Sequence, residues 1–168
     1  IDDELAGNSA LIADLPGEAA FLCWAEAALA AAAAGPASKS VTLDIRIVGE
    51  IESQALNRDY RGKDKPTNVL SFPMLEREEL LTLAPDGPPE LLGDIALALE
   101  TCAREAADKG LSLEHHAAHL IVHGLLHLAG HDHEISPADA DAMEALEVLT
   151  LAQLGIADPY SVPDITGD

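Results

Sequence analysis

His123-Gly124-Leu125-Leu126-His127-Leu128-Ala129-Gly130-His131-Asp132-His133 is the stretch on which the fold turns. All seven histidines of the chain lie between His115 and His133. On a helix, His123 and His127 stand one turn apart and leave the same face, with Cβ atoms roughly 5–6 Å apart. That bite suits a metal bound by imidazole at about 2.0–2.1 Å. Gly130 can end the helix in a left-handed conformation, and the returning chain then offers His133 as a third nitrogen. Three protein ligands and one open position make the layout of a catalytic zinc site.

The frame H-x-x-x-H-x-x-G-x-x-H is shared with metzincin proteases, which carry Glu after the first His as general base. Gly124 occupies that position and cannot accept a proton. A glycine inside a helix costs about 1 kcal/mol relative to alanine; room beside the metal for a bulky substrate is one reason to keep it. His116 and His119 lie on or near the His123 face and are expected to pack against the site rather than ligate. His115 reads as a packed or solvated residue rather than a ligand. His131, two residues before His133, is a competing or additional ligand.

The chain's 168 residues suggest one domain, 1–168, large enough to bury a core without staples. Its longest uninterrupted apolar run, Ala27 to Ala34, is too short to cross a bilayer, so no membrane association is expected. No basic segment precedes an apolar one, so no signal peptide is expected. Cys23 and Cys102 sit among apolar neighbours and read as buried free thiols, consistent with a cytoplasmic location. The net charge of −21 argues against broad nucleic-acid binding. The nine cationic residues are unevenly spread, with Arg58, Arg61, Lys63 and Lys65 close together. That group can hold a polyanion locally on an otherwise acidic surface.

Residues 1–15 suggest an opening strand, and Pro16 to Ala34 a helix stopped by Gly35-Pro36. Val41 to Val48 alternates strictly and predicts a half-buried strand. Glu50 to Tyr60 reads as a helix, Arg61 to Thr67 as a polar loop, and Asn68 to Pro73 as a second strand. Residues 74–92 are acidic and proline-bearing, the expected mobile loop. Gly93 to Leu99 reads as a strand, and Thr101 to Lys109 as a helix ending at Gly110. Ser112 caps a long helix reaching about Ala129, and Ser136-Pro137 opens another to about Leu154. Residues 156–168 read as tail. Helices that do not alternate regularly with strands predict an α+β fold, a small mixed β-sheet packed against helices, with the metal site at the C-terminal end of a long helix.

Arg61 taken alone is a surface charge after a helix. Its guanidinium can nevertheless grip a phosphate with two parallel hydrogen bonds, which lysine cannot do. The stretch Leu56-Asn-Arg-Asp-Tyr-Arg-Gly-Lys-Asp-Lys-Pro-Thr-Asn-Val-Leu-Ser-Phe-Pro73 resembles the first signature of the YbeY endoribonucleases, or rRNA maturation factors. Leu92-Gly-Asp-Ile95 resembles their central strand, and His116, His119 and the His123–His133 phrase their second signature. The likeness spans roughly residues 41–160. Two departures are His131, where the family carries Tyr, and Met74, where it carries a second Phe.

The resemblance implies a zincin-like α+β fold and one Zn(2+) per chain on His123, His127 and His133, with Arg61 needed for cleavage. It implies a metal-dependent endoribonuclease specific for single strands, acting in maturation of the 3′ end of small-subunit ribosomal RNA and in ribosome quality control. Expected partners are single-stranded ribosomal RNA, the small subunit and its assembly factors, without membrane or DNA. The attacking group is left open between a metal-activated water and a ribose 2′-OH, and Asp132 is expected to support a ligand histidine or to cap, rather than to act as a base. Two rival readings are a zinc peptidase or amidase, with Asp94 as a possible base, and a ribosome-assembly binding factor whose metal is structural.

Overall fold

The computed structural model describes residues 13–32, 41–75, 79, 88–129 and 137–160. The described elements are, in chain order, α1 (Glu18–Ala32), β1 (Val41–Val48), α2 (Glu50–Arg61), β2 (Val69–Pro73), β3 (Glu90–Ala98), α3 (Leu99–Lys109), α4 (Leu113–Leu128) and α5 (Pro137–Gln153). The three strands form a mixed sheet in the order β1-β3-β2, with β1 parallel and β2 antiparallel to β3. The α+β expectation therefore holds. Of the opening strand expected over residues 1–15, residues 1–12 lie outside the described residues and residues 13–14 are helical instead; most of the expected loop 74–92 also lies outside them. β3 starts earlier than the sequence suggested, at Glu90 rather than Gly93.

The sheet is covered on both faces. Along β1, Leu43, Ile45 and Ile47 face the main core, while Asp44 and Arg46 face the other way. The main core joins α1, α3, α4 and α5 to that first face. A smaller cluster on the opposite face holds Val48, Leu70 and Ala96, with Leu56 of α2 and Phe72 against it. α4 is buried almost all round, as expected of a core helix rather than an amphipathic surface one. Its start follows the sequence reading, since the Ser112 hydroxyl accepts from the His115 N–H at 3.1 Å.

Two glycines let α4 and the sheet approach closely. A Cβ on Gly124 would lie 3.1 Å from Ser71 Oγ and 3.2 Å from Ile95 Cδ1. Its missing side chain therefore makes room for the sheet, not for a substrate beside the metal, which corrects the reading from sequence. Ser71 Oγ also donates to the Gly124 carbonyl at 3.0 Å. Gly93, at φ +150°, sits where a Cβ would run into the Phe72 carbonyl oxygen and approach Leu128 Cδ2 to 2.8 Å. The register of β3 shifts at the same place, with Thr42 opposite Leu91 but Leu43 opposite Gly93.

Cys102 is buried as expected, and burial, with the nearby Glu105 charge, pushes its thiol up to about 12. Cys23 is instead exposed, because it falls on the outer side of α1, whose inward positions are Trp24, Ala25, Ala28 and Ala32.

Gly93→Ala is expected to destabilise the fold by about 3 kcal/mol, combining backbone strain with a clash against main chain. Urea denaturation should show a lower midpoint with an unchanged slope.

Candidate metal centre and the cleft at Arg61

Pressing Gly124 against the sheet turns its neighbour His123 away from it, since successive helical residues are about 100° apart. His123 and His127 then lie side by side, with ring centroids 4.7 Å apart and planes at 77°. The structure thus brings together two of the three sequence-predicted ligands. His133 lies outside the described residues, as do His131 and Asp132. Among the described residues no three His, Cys, Asp or Glu side chains converge in a geometry that could hold a metal ion. The donor chemistry of the pair still fits one: His123 Nδ1 is taken by a carboxylate, so Nε2 is the ring nitrogen with which it would hold a metal.

That carboxylate is Glu147 of α5, only 1% exposed. One of its oxygens accepts from His123 Nδ1. The other meets His119 Nε2 at 3.3 Å and accepts from the Tyr160 hydroxyl. Burial pulls its pKa up, but the hydrogen bonds from His119, His123 and Tyr160, together with the charge of His123, outweigh this and hold it at about 2. The Tyr160 hydroxyl is pushed well above its ordinary value by burial and by the Glu147 carboxylate.

Sequence reading missed Glu147 and Tyr160. Of the stretch 156–168 expected as tail, the described part folds back. Ile156 packs on the main core, and the Tyr160 ring stands edge-on to His119, with centroids 5.5 Å apart. His119 and His116 are packing residues as expected, and His115 is exposed. His116 Nε2 pairs with Glu105 at 2.9 Å, and Asn68 Nδ2 donates to the same oxygen at 3.0 Å. Glu105 thereby ties α4 to the start of β2. The hydrogen bond from His116 holds its pKa down against the opposing effect of burial.

Arg61 lies elsewhere. It is the last residue of α2 rather than part of the loop, and Gly62 ends the helix in a left-handed conformation at φ 70°. The loop behind it is fastened to the helix, with Ser53 Oγ donating to the Thr67 carbonyl at 2.7 Å and Asn57 Nδ2 to the Lys65 carbonyl at 2.9 Å. Arg61 borders an open cleft of about 790 Å³ on the α2 face of the sheet, with Tyr60, Phe72, Met74, Asp44, Arg46 and Asp94 around it. Asp94 follows the strand alternation: its neighbours Gly93 and Ile95 meet α4, so its own carboxylate faces this cleft. It is therefore turned away from His123 and His127, which removes the base considered for amide hydrolysis.

The model of the family described as Endoribonuclease YbeY matches residues 15–155. An Endoribonuclease YbeY from Erythrobacter litoralis is 64% identical over 127 residues, covering 74% of this chain and 79% of that protein. One from Novosphingobium aromaticivorans is 56% identical over 141 residues, covering 82% and 84%. The solution structure of TM1509 from Thermotoga maritima shares the fold at a TM-score of 0.51 and 23% identity, covering 84% of this chain and 89% of that one. The chain belongs to the YbeY endoribonuclease family and is an endoribonuclease.

A carboxylate whose pKa falls on folding stabilises the native state above its unfolded value, and loses that contribution as the pH drops through the folded value. For Glu147 the window runs from 4.5 down to about 2. Metal-free protein should lose stability across that range in acid titrations followed by circular dichroism. Glu147→Gln should flatten that limb of the curve.

Proposed function

We propose that this YbeY family member is a zinc-dependent, single-strand-specific endoribonuclease acting in the cytoplasm on the 3′ end of small-subunit ribosomal RNA and in ribosome quality control. In this reading one Zn(2+) per chain is held by His123, His127 and His133 in a zincin-like fold, and Arg61 acts on the phosphate. The partners are single-stranded ribosomal RNA, the small subunit and its assembly factors, with no part for DNA or a membrane. No described helix is long and apolar enough to cross one.

The observation that carries the reading is the pairing of His123 with His127 while Glu147 occupies the Nδ1 of His123. A metal-bound histidine usually gives its other ring N–H to a carboxylate or carbonyl, which fixes the tautomer and raises the basicity of the ligating nitrogen. When bound, zinc supplies Lewis acidity toward a phosphoryl oxygen and lowers the pKa of a coordinated water.

The protein's own contributions follow from the fold. Glu147 fixes the His123 ring, and Gly124 leaves no side-chain base next to it. Arg61 has a forked guanidinium suited to charge that develops on phosphate oxygens. Among the described strands β2 lies at the edge of the sheet, and both functional elements approach it at the same end. Leu128, just past His127, packs at Gly93, while Pro73 opposite Gly93 borders the Arg61 cleft. An RNA strand passing over this edge would meet the histidines on one side and Arg61 on the other.

Cleavage of a ribosomal RNA fragment tests the reading, with wild type beside Arg61→Ala and His127→Ala. The wild type should cut single-stranded regions and both variants should lose about a hundredfold or more in rate, the scale of losing one group that stabilises transition-state charge. Equal cutting by all three would assign the activity to a contaminant.

Removing the metal with a chelator should abolish cleavage and leave the far-ultraviolet circular dichroism largely intact, because neither His123 nor His127 belongs to the buried apolar cluster that joins the helices to the sheet. Unfolding on chelation would favour the structural-metal reading. Glu147→Gln should weaken zinc binding about 10–100-fold in chelator competition.

A further inference from the structure

We infer that Tyr60 is a stacking platform for one unstacked nucleobase of the RNA strand that Arg61 engages. The inference rests on the nuclease reading above and adds to it how a strongly acidic protein holds its substrate.

Aromatic side chains are scarce here: Phe21, Trp24, Tyr60, Phe72 and Tyr160 are the complete set. Phe21 and Trp24 pair at 4.8 Å on α1, and Tyr160 serves the Glu147 cluster. The remaining two meet in the cleft beside Arg61. Tyr60 and Phe72 stand edge-on, with centroids 4.7 Å apart and planes at 64°. Phe72 lies against the small cluster of Val48, Leu70 and Ala96, so it is a fixed support. Tyr60 is the opposite, 69% exposed at the last turn of a helix. An edge contact fixes the plane of its ring while leaving most of the residue open. Burial does not explain the ring's position, and an open, oriented ring is what base stacking requires.

Charge locates the same spot and limits what charge alone can do. Arg58, Arg61, Lys63 and Lys65 surround Tyr60 in sequence, the densest cationic group of a chain with net charge −21. Acidic groups offset them. Asp59 and Asp64 flank Arg58 at 3.2 and 4.0 Å, Asp44 and Asp94 line the cleft, and Glu52 holds Arg46 at 2.6 Å. Few phosphates can be neutralised there, so the ionic contribution is small and falls with salt. Stacking on a ring is insensitive to sequence and to salt, and it needs a base already free of a helix. It thus supplies both affinity and a preference for single strands.

The test uses the full chain with zinc and a fluorescein-labelled, 2′-O-methylated single-stranded oligoadenylate. Anisotropy gives the Kd at two salt concentrations, and an unmethylated ribosomal RNA fragment gives KM and kcat. Tyr60→Ala should raise Kd and KM about tenfold at both salts with little change in kcat, and Tyr60→Phe and Tyr60→Trp should bind like wild type. Binding by Tyr60→Ala equal to wild type overturns the inference. So does equal loss in Tyr60→Phe, which would assign the effect to the hydroxyl, or competition by inorganic polyphosphate as strong as by unlabelled RNA. A wild type that neither binds nor cuts RNA would instead sink the nuclease reading. A wild type that cuts normally beside an unaffected Tyr60→Ala sinks the platform alone.

Discussion

The structure depends on the contact between α4 and the sheet at Gly124. With no Cβ in the way, the helix lies close enough for its own carbonyl to receive the Ser71 hydroxyl. That contact sets the rotation of the helix about its axis. His123 stands one residue away and His127 one helical turn beyond His123, so both rings end on one flank, where Glu147 of α5 reaches His123. A bulky residue at this position would lift the helix and turn both rings together. The cost of a mid-helix glycine, about 1 kcal/mol, is offset by packing that few other residues would permit.

The rotation places His123 against Glu147, and a buried carboxylate is costly unless its lone pairs are filled. Here they are filled by three donors from two places: α4 through His119 and His123, and the segment after α5 through Tyr160. The cluster is therefore an assembly point for the C-terminal third of the chain as well as a support for one ring. Glu105 repeats the arrangement near the start of α4, bound to His116 and Asn68. The helix is held against rotation near its start and at its middle by carboxylate–histidine pairs.

Much of this was legible in the sequence because it depends on local periodicity. The two-residue alternation of Val41–Val48, the Ser112 cap and the one-turn spacing of His123 and His127 each express a rule acting within one element. What was not legible depends on contacts between elements. Glu147 looks like one acid among many on a helix with charges along it, and only the packing of α5 on α4 shows it buried. The function of Gly124 is not legible because sequence shows the absence of a side chain but not which neighbour fills the space. The exposure of Cys23 is not legible because α1 is rich in alanine, and its inward face carries little apolar contrast. Arg61 is distinguished by likeness to a signature and by the cleft beside it, not by any spacing to the histidines.

The two-sided sheet also bears on why the chain can be so acidic and still act on a polyanion. A protein that relied on a broad cationic surface would gain affinity from many phosphates and lose it steeply with salt. Here the cationic residues concentrate at the end of α2, and the histidine pair lies beyond a single edge strand. Under the proposed function, a short stretch of RNA crossing that edge would reach both. The surrounding acidity then disfavours long electrostatic contact with duplex RNA, which presents phosphates but no free bases. In the proposed reading, selectivity for unpaired strands would follow from how little of the surface attracts RNA, as much as from the residues that do.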